Sequence, residues 1–127
     1  MNIYLIYTGS NGFPGGDAYT NRILSLAKGL LVNGCTISLL IIYPGKSIGV
    51  EHSEGILSDV PYKYLAPFKV PNNSFKKKAY GIIGMIQSIK YLFVNRKEID
   101  AVISFSELFI QNIVIYSVLK LTRTLFI

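Results

Sequence analysis

The apolar positions of the chain change period several times, from short runs to helical spacing and back. Ile3 to Tyr7 is a β-prone apolar run, and Thr8-Gly9-Ser10-Asn11-Gly12-Phe13-Pro14-Gly15-Gly16 then supplies concentrated turn chemistry. From Asp17 the spacing becomes helical, with Ile23, Leu26, Ala27, Leu30 and Leu31 on one face and Asn21, Arg22, Ser25 and Lys28 largely on the other. Asn33-Gly34 provides a left-handed helix stop. Thr36 to Tyr43 is a continuous β-branched and leucine-rich run ended by Pro44-Gly45, the pattern of an interior parallel strand buried on both faces.

Lys46 to Asp59 is polar and contains glycine, and Val60 to Ala66 predicts a third, more peripheral strand because Pro61 removes a ladder donor. Pro67 to Ser74 is expected to be a loop. Lys76 to Arg96 predicts an amphipathic helix with a basic start, its apolar face being Ala79, Ile82, Ile83, Ile86, Ile89 and Phe93. Two placements are open for that face: it packs on the sheet and leaves only charges outside, or it turns outward. Asp100 to Phe105 is a fourth buried strand, and Glu107 to Arg123 returns to helix with Ser104 and Glu107 at capping-box spacing.

This β-α-β-β-α-β-α alternation predicts an α/β fold, a Rossmann-like open parallel sheet with helices on both faces. Right-handed crossovers give a strand order of 3-2-1-4, with the Gly15-Gly16 loop at the switch point. Thr124 to Ile127 opens a further strand with nothing after it, which would leave an unpaired edge. Residues 1–127 are therefore expected to be one incomplete domain, the front part of a longer protein.

Composition narrows this reading. Half of the 127 residues are hydrophobic and only 16% are charged, which excludes a disordered chain. Ala101 to Leu119 is apolar enough to resemble a membrane span, but Glu107, Gln111 and Asn112 interrupt it. The first apolar run stops at Thr8-Gly9, too soon for an export signal, and the single cysteine, Cys35, suits a small buried residue in a reducing cytosol. A cytoplasmic location follows, peripheral to the inner face of the membrane if the basic segment described next meets lipid.

The net charge is +6, and its distribution matters more than its size. Lys63, Lys69, Lys76, Lys77, Lys78, Lys90, Arg96 and Lys97 occupy a stretch from Val60 that has no acidic residue. Such a block is either a solvated face or a contact for an anionic partner, and Lys76, Lys77 and Lys78 oppose the dipole of the helix they open. They are the candidate contacts for an anionic membrane. Nucleic acid is not expected as a partner, because basic and aromatic residues are not interleaved as a single-strand binder requires.

The strand-to-helix turn is the main candidate for chemistry. A glycine-rich turn after a parallel strand converges backbone N–H groups and a helix dipole on one point, where a phosphate can sit. Gly15 and Gly16 permit close approach there, although the loop is neither a dinucleotide fingerprint nor a P-loop. Asp17 either caps the following helix or receives a sugar hydroxyl. Tyr19, Asn21 and Arg22 in the first turns are candidate cleft or acceptor contacts, as are Ser106 and Glu107 beyond the fourth strand. His52, the only histidine, has no partner at metal-ligand spacing, so no metal or cofactor is expected and no catalytic residue is assigned.

Phe13-Pro14-Gly15-Gly16-Asp17-Ala18-Tyr19-Thr20-Asn21-Arg22-Ile23, with Leu26-Ala27-Lys28-Gly29-Leu30 and then Asn33-Gly34, resembles the amino-terminal domain of family 4 glycosyltransferases, which have the GT-B fold. The likeness covers residues 1 to 43 well and 100 to 106 more loosely. It implies transfer of a sugar from a nucleotide-sugar donor to a glycan or lipid-linked acceptor, with retention and without an essential metal. Gly15 and Gly16, with Asp17, would then meet the donor diphosphate or sugar. Gly34-Cys35-Thr36-Ile37 replaces the family's Gly-His turn, Ser106 and Glu107 stand near the place of a frequent histidine, and the second domain with its paired-glutamate motif is absent. A fragment of this kind is expected to be inactive alone. The alternative is a flavodoxin-like or other phosphate-binding module, suggested by Thr8-Gly9-Ser10-Asn11-Gly12 after the first strand.

Overall fold

The computed structural model describes residues 1–8, 13, 18–43, 52–67, 72–106 and 109–127. Its elements follow the order β1 (Asn2–Tyr7), α1 (Ala18–Val32), β2 (Thr36–Ile41), β3 (Glu54–Leu57), β4 (Val60–Tyr64), α2 (Ser74–Val94), β5 (Ala101–Phe105), α3 (Phe109–Thr122) and β6 (Leu125–Phe126). The sheet order is β3-β4-β2-β1-β5-β6. All neighbours pair parallel except β3 with β4. The four strands expected from the sequence thus lie in the expected order, and Thr124 to Ile127 does supply a further parallel strand.

One strand escaped the sequence pattern. Leu57 pairs with Val60, so β3 and β4 form a two-residue hairpin at Ser58-Asp59. Both turn residues have positive φ, 51° and 70°, as a type I′ turn requires. The turn lacks the Asn-Gly or Asp-Gly pair that usually announces this geometry, and the Lys63–Glu54 ion pair at 2.9 Å is exposed and adds little stability.

The parallel strands are buried on both faces, in keeping with their unbroken apolar runs. On one face Ile3, Leu5, Tyr7, Ile37, Leu39 and Ile41 pack against Ile23 and Ala27 of α1. On the other, Ile6, Leu40, Ile42 and Val102 pack against Leu92 of α2 and Ile115 and Leu119 of α3. Helices therefore cover both faces. α1 stops at the expected place, where Gly34 takes a φ of 78° and the Asn33 side-chain amide donates to the Gly29 carbonyl. Leu26, expected inside, is partly exposed, while Leu24 packs on the core. Cys35 is half-buried rather than fully buried.

α2 takes the outward placement of the two left open by its sequence. It begins two residues earlier than expected, after Asn73, whose side chain accepts the Phe75 N–H at 2.9 Å. Its buried face is Gly81, Gly84, Ser88 and Leu92, while Ile82, Ile83, Ile86 and Phe93 of the expected apolar row face outward and Ala79 and Ile89 are half-buried. Glycine allows this: a Cβ on Gly81 would lie 2.8 Å from the Tyr43 ring, and one on Gly84 would overlap the Ile42 carbonyl oxygen. The helix lies so close to the end of β2 that only missing side chains fit between them. α3 is described over Phe109–Thr122, and Ser104 lies within β5, where its hydroxyl donates to the Asn112 side chain at 2.8 Å instead of capping a helix.

On the α2 side, the Tyr4 and Tyr91 rings lie tilted to each other with centroids 6.0 Å apart. Burial first, and then the nearby Tyr91, raise the Tyr4 hydroxyl from its ordinary 10.0 to about 12. A raised folded-state value means that stability is fully present below the unfolded value and is lost as pH rises through the folded one. Urea midpoints should accordingly fall between about pH 10 and about pH 12, and Tyr4→Phe should flatten that decline. An equally steep decline in the variant would show that Tyr4 is not its source.

Candidate functional site

The connections single out the carboxyl edge of the sheet between β1 and β5. From β1 the chain crosses to β2 through α1 on one face, and from β5 it crosses to β6 through α3 on the other. Neighbouring strands whose loops part to opposite faces create the switch point at which open α/β sheets bind ligands.

Its described parts are closely tied together. The Thr8 amide and hydroxyl both donate to the Phe105 carbonyl oxygen, at 3.1 and 3.2 Å. Tyr19, in the first turn of α1, meets Phe105 edge-on at 6.2 Å and lies 5.5 Å from Tyr7. Tyr7 in turn lies 5.7 Å from Phe13, and Phe13 lies 6.3 Å from Tyr62. The Tyr64 hydroxyl donates to the Phe13 carbonyl oxygen, and burial holds that hydroxyl protonated well above its ordinary range. A row of aromatic rings from Phe105 to Tyr64 therefore underlies the carboxyl edge and fixes the middle of the β1–α1 connection by Phe13.

This row was the part of the site that sequence reasoning missed. Its signal was the period-two run Val60, Tyr62, Tyr64, which places these three side chains on the α1 face with Phe13.

Of the residues expected at the site, Gly15, Gly16, Asp17 and Glu107 lie outside the described residues. Tyr19 is half-buried in the aromatic row. Asn21 and Arg22 are exposed on α1. The Ser106 hydroxyl donates to the Gln111 side-chain oxygen at 3.2 Å, which with the Ser104–Asn112 bond ties the end of β5 to α3. Lys76, Lys77 and Lys78 sit in the first turns of α2, apart from the β1–β5 crevice. Lys77 packs over the Tyr43 ring at 5.8 Å, and Lys78 borders a groove between α2 and α3.

Among the described residues no group of three His, Cys, Asp or Glu side chains is placed to hold a metal ion, and His52 is exposed. The described side chains along this edge are mainly aromatic rings and hydroxyls. Comparison with known protein families, characterised proteins and solved structures found no match.

Proposed function

We propose that this chain is the amino-terminal, acceptor-side part of a retaining glycosyltransferase of the family 4 kind, moving a sugar from a nucleotide-sugar to a glycan or lipid-linked acceptor. The observation that carries the reading is the parallel order β4-β2-β1-β5-β6, with the ends of β1 and β5 joined at the carboxyl edge through Thr8 and Phe105. In a doubly wound sheet of this order the crevice outside β1 takes the phosphates of a nucleotide. The flavodoxin-like alternative is less well supported, because there the third parallel strand lies beside the first, whereas here it lies beside β2.

In this reading Gly15 and Gly16 present backbone N–H groups to the donor diphosphate or sugar, and the dipole of α1 adds to the attraction. Asp17 either caps α1 or takes a sugar hydroxyl. Asn21 and Arg22 reach the cleft from α1, and Ser106 and Glu107 border it from the β5 side. Most donor contacts in the resembled family come from a second domain, so the affinity of this chain for sugar nucleotides is expected to be weak.

Calorimetry with UDP- and GDP-sugars, and with a flavin nucleotide beside them, tests the proposal. The expected outcome is sugar-nucleotide binding of about millimolar strength or weaker, below roughly 4 kcal/mol, and no flavin binding. Tight flavin binding would give the alternative its case, and tight sugar-nucleotide binding would place the donor pocket wholly within this chain.

A further inference from the structure

We propose that the outer face of α2, together with the start of α3, docks on an anionic lipid bilayer. Phe75, Ile82, Ile86 and Phe93 are 79%, 63%, 59% and 53% exposed. At about 3.6 residues per turn these four positions fall on one line along the helix. Beside that line Phe109 and Ile110, 77% and 75% exposed, stand across a groove of about 590 Å³ lined by Gly81, Ile82, Met85 and Val114. A contiguous apolar surface of this kind on a folded chain marks a contact with something else.

The charges name the occupant. Lys76, Lys78 and Lys90 are exposed on the same helix, and no acidic residue occurs between Val60 and Lys97. Apolar side chains on one helical line with lysines at its flanks match a bilayer that offers acyl chains below and anionic headgroups above. A second copy of the chain fits worse, since self-complementary pairing of this face would bring like-charged lysine rows together. The two glycines that seat α2 on the sheet give the arrangement its cause, because they leave the isoleucines no way inward.

Position adds a consequence. α2 and α3 follow β4 and β5, so their first turns, which carry Phe75, Lys76, Lys78 and Phe109, lie at the carboxyl edge of the sheet. The docking proposal stands without the sugar-transfer reading. If both hold, the bilayer brings a lipid-linked acceptor to the crevice.

Co-sedimentation of the chain with vesicles of phosphatidylcholine alone, or mixed with phosphatidylglycerol, tests this. The expected result is binding to the mixed vesicles at low salt, release at about 1 M salt where the screening length is roughly 3 Å, and little binding to phosphatidylcholine. K76Q/K77Q/K78Q should lower partitioning on the order of 30-fold or more, with Lys77 counting least because it lies over Tyr43. I82S/I86S should lower it by at least about tenfold while leaving the melting temperature unchanged, since both side chains are already largely exposed. The proposal is overturned by failure to bind anionic vesicles at low salt, by equal binding to both vesicle types, by either variant binding as the parent does, or by a dimer in sedimentation that I82S/I86S dissolves. Each of these results leaves the nucleotide titration untouched, so the two proposals fail separately.

Discussion

Replacing Gly84 by alanine should destabilise the protein by about 3 kcal/mol or more, the upper end of what overpacking a filled interior costs. The added Cβ would overlap the Ile42 carbonyl oxygen and lie 3.0 Å from the Ala66 Cβ. Neither neighbour is the far end of a flexible side chain, so α2 has to lift from the sheet. For a chain of 127 residues the melting temperature should drop by roughly 10 °C. Gly29→Ala is the contrast, because that glycine lies within α1 with nothing within 4 Å of an added Cβ. There the better helix propensity of alanine should add about 0.5–1 kcal/mol. Urea unfolding of the two variants checks both signs, and a Gly84→Ala protein as stable as the parent would show that α2 is not seated on β2 by its glycines.

Phe13→Ala should cost a comparable amount, about 3–5 kcal/mol, as the loss of a fully buried phenylalanine generally does. The side chain has no exposed surface and lies between the rings of Tyr7 and Tyr62. Tyr64→Phe is the milder test of the same anchor. It removes the hydroxyl that donates to the Phe13 carbonyl oxygen and should cost about 1–2 kcal/mol, as the loss of a buried hydrogen bond does. Both losses are read from denaturant midpoints at neutral pH, where the Tyr64 hydroxyl is protonated in folded and unfolded chains alike. If Phe13→Ala melts like the parent, the aromatic row does not hold the β1–α1 connection.

Much of the fold was legible in the sequence because its strong signals are local. Continuous apolar runs at Ile3 to Tyr7 and Thr36 to Tyr43 can hardly serve anything but interior parallel strands, and the handedness of the crossovers then orders them. The hairpin at Ser58-Asp59 was not legible, because neither residue advertises the positive φ that both adopt. The orientation of α2 was hidden for a different reason. Its apolar period was correctly read, but burial against the sheet was decided by close approach at Gly81 and Gly84, and hydrophobicity patterns give glycine no weight. At the carboxyl edge, the aromatic row was hidden because it joins Tyr7 and Phe13 to Tyr62 and Phe105, which are distant in sequence and meet only once the sheet is assembled.

The central claim is that the carboxyl edge between β1 and β5 receives a nucleotide-sugar, and an NMR titration of the isotopically labelled chain with UDP- and GDP-sugars tests it most directly. Amide shifts that move together with saturation at about millimolar ligand are predicted for Thr8, Phe13, Ala18 to Thr20 and Ser106, the described residues that border the crevice. Shifts confined to the opposite edge, at Asn2, Thr36 and Asp100, or no shifts with any sugar nucleotide, would contradict it.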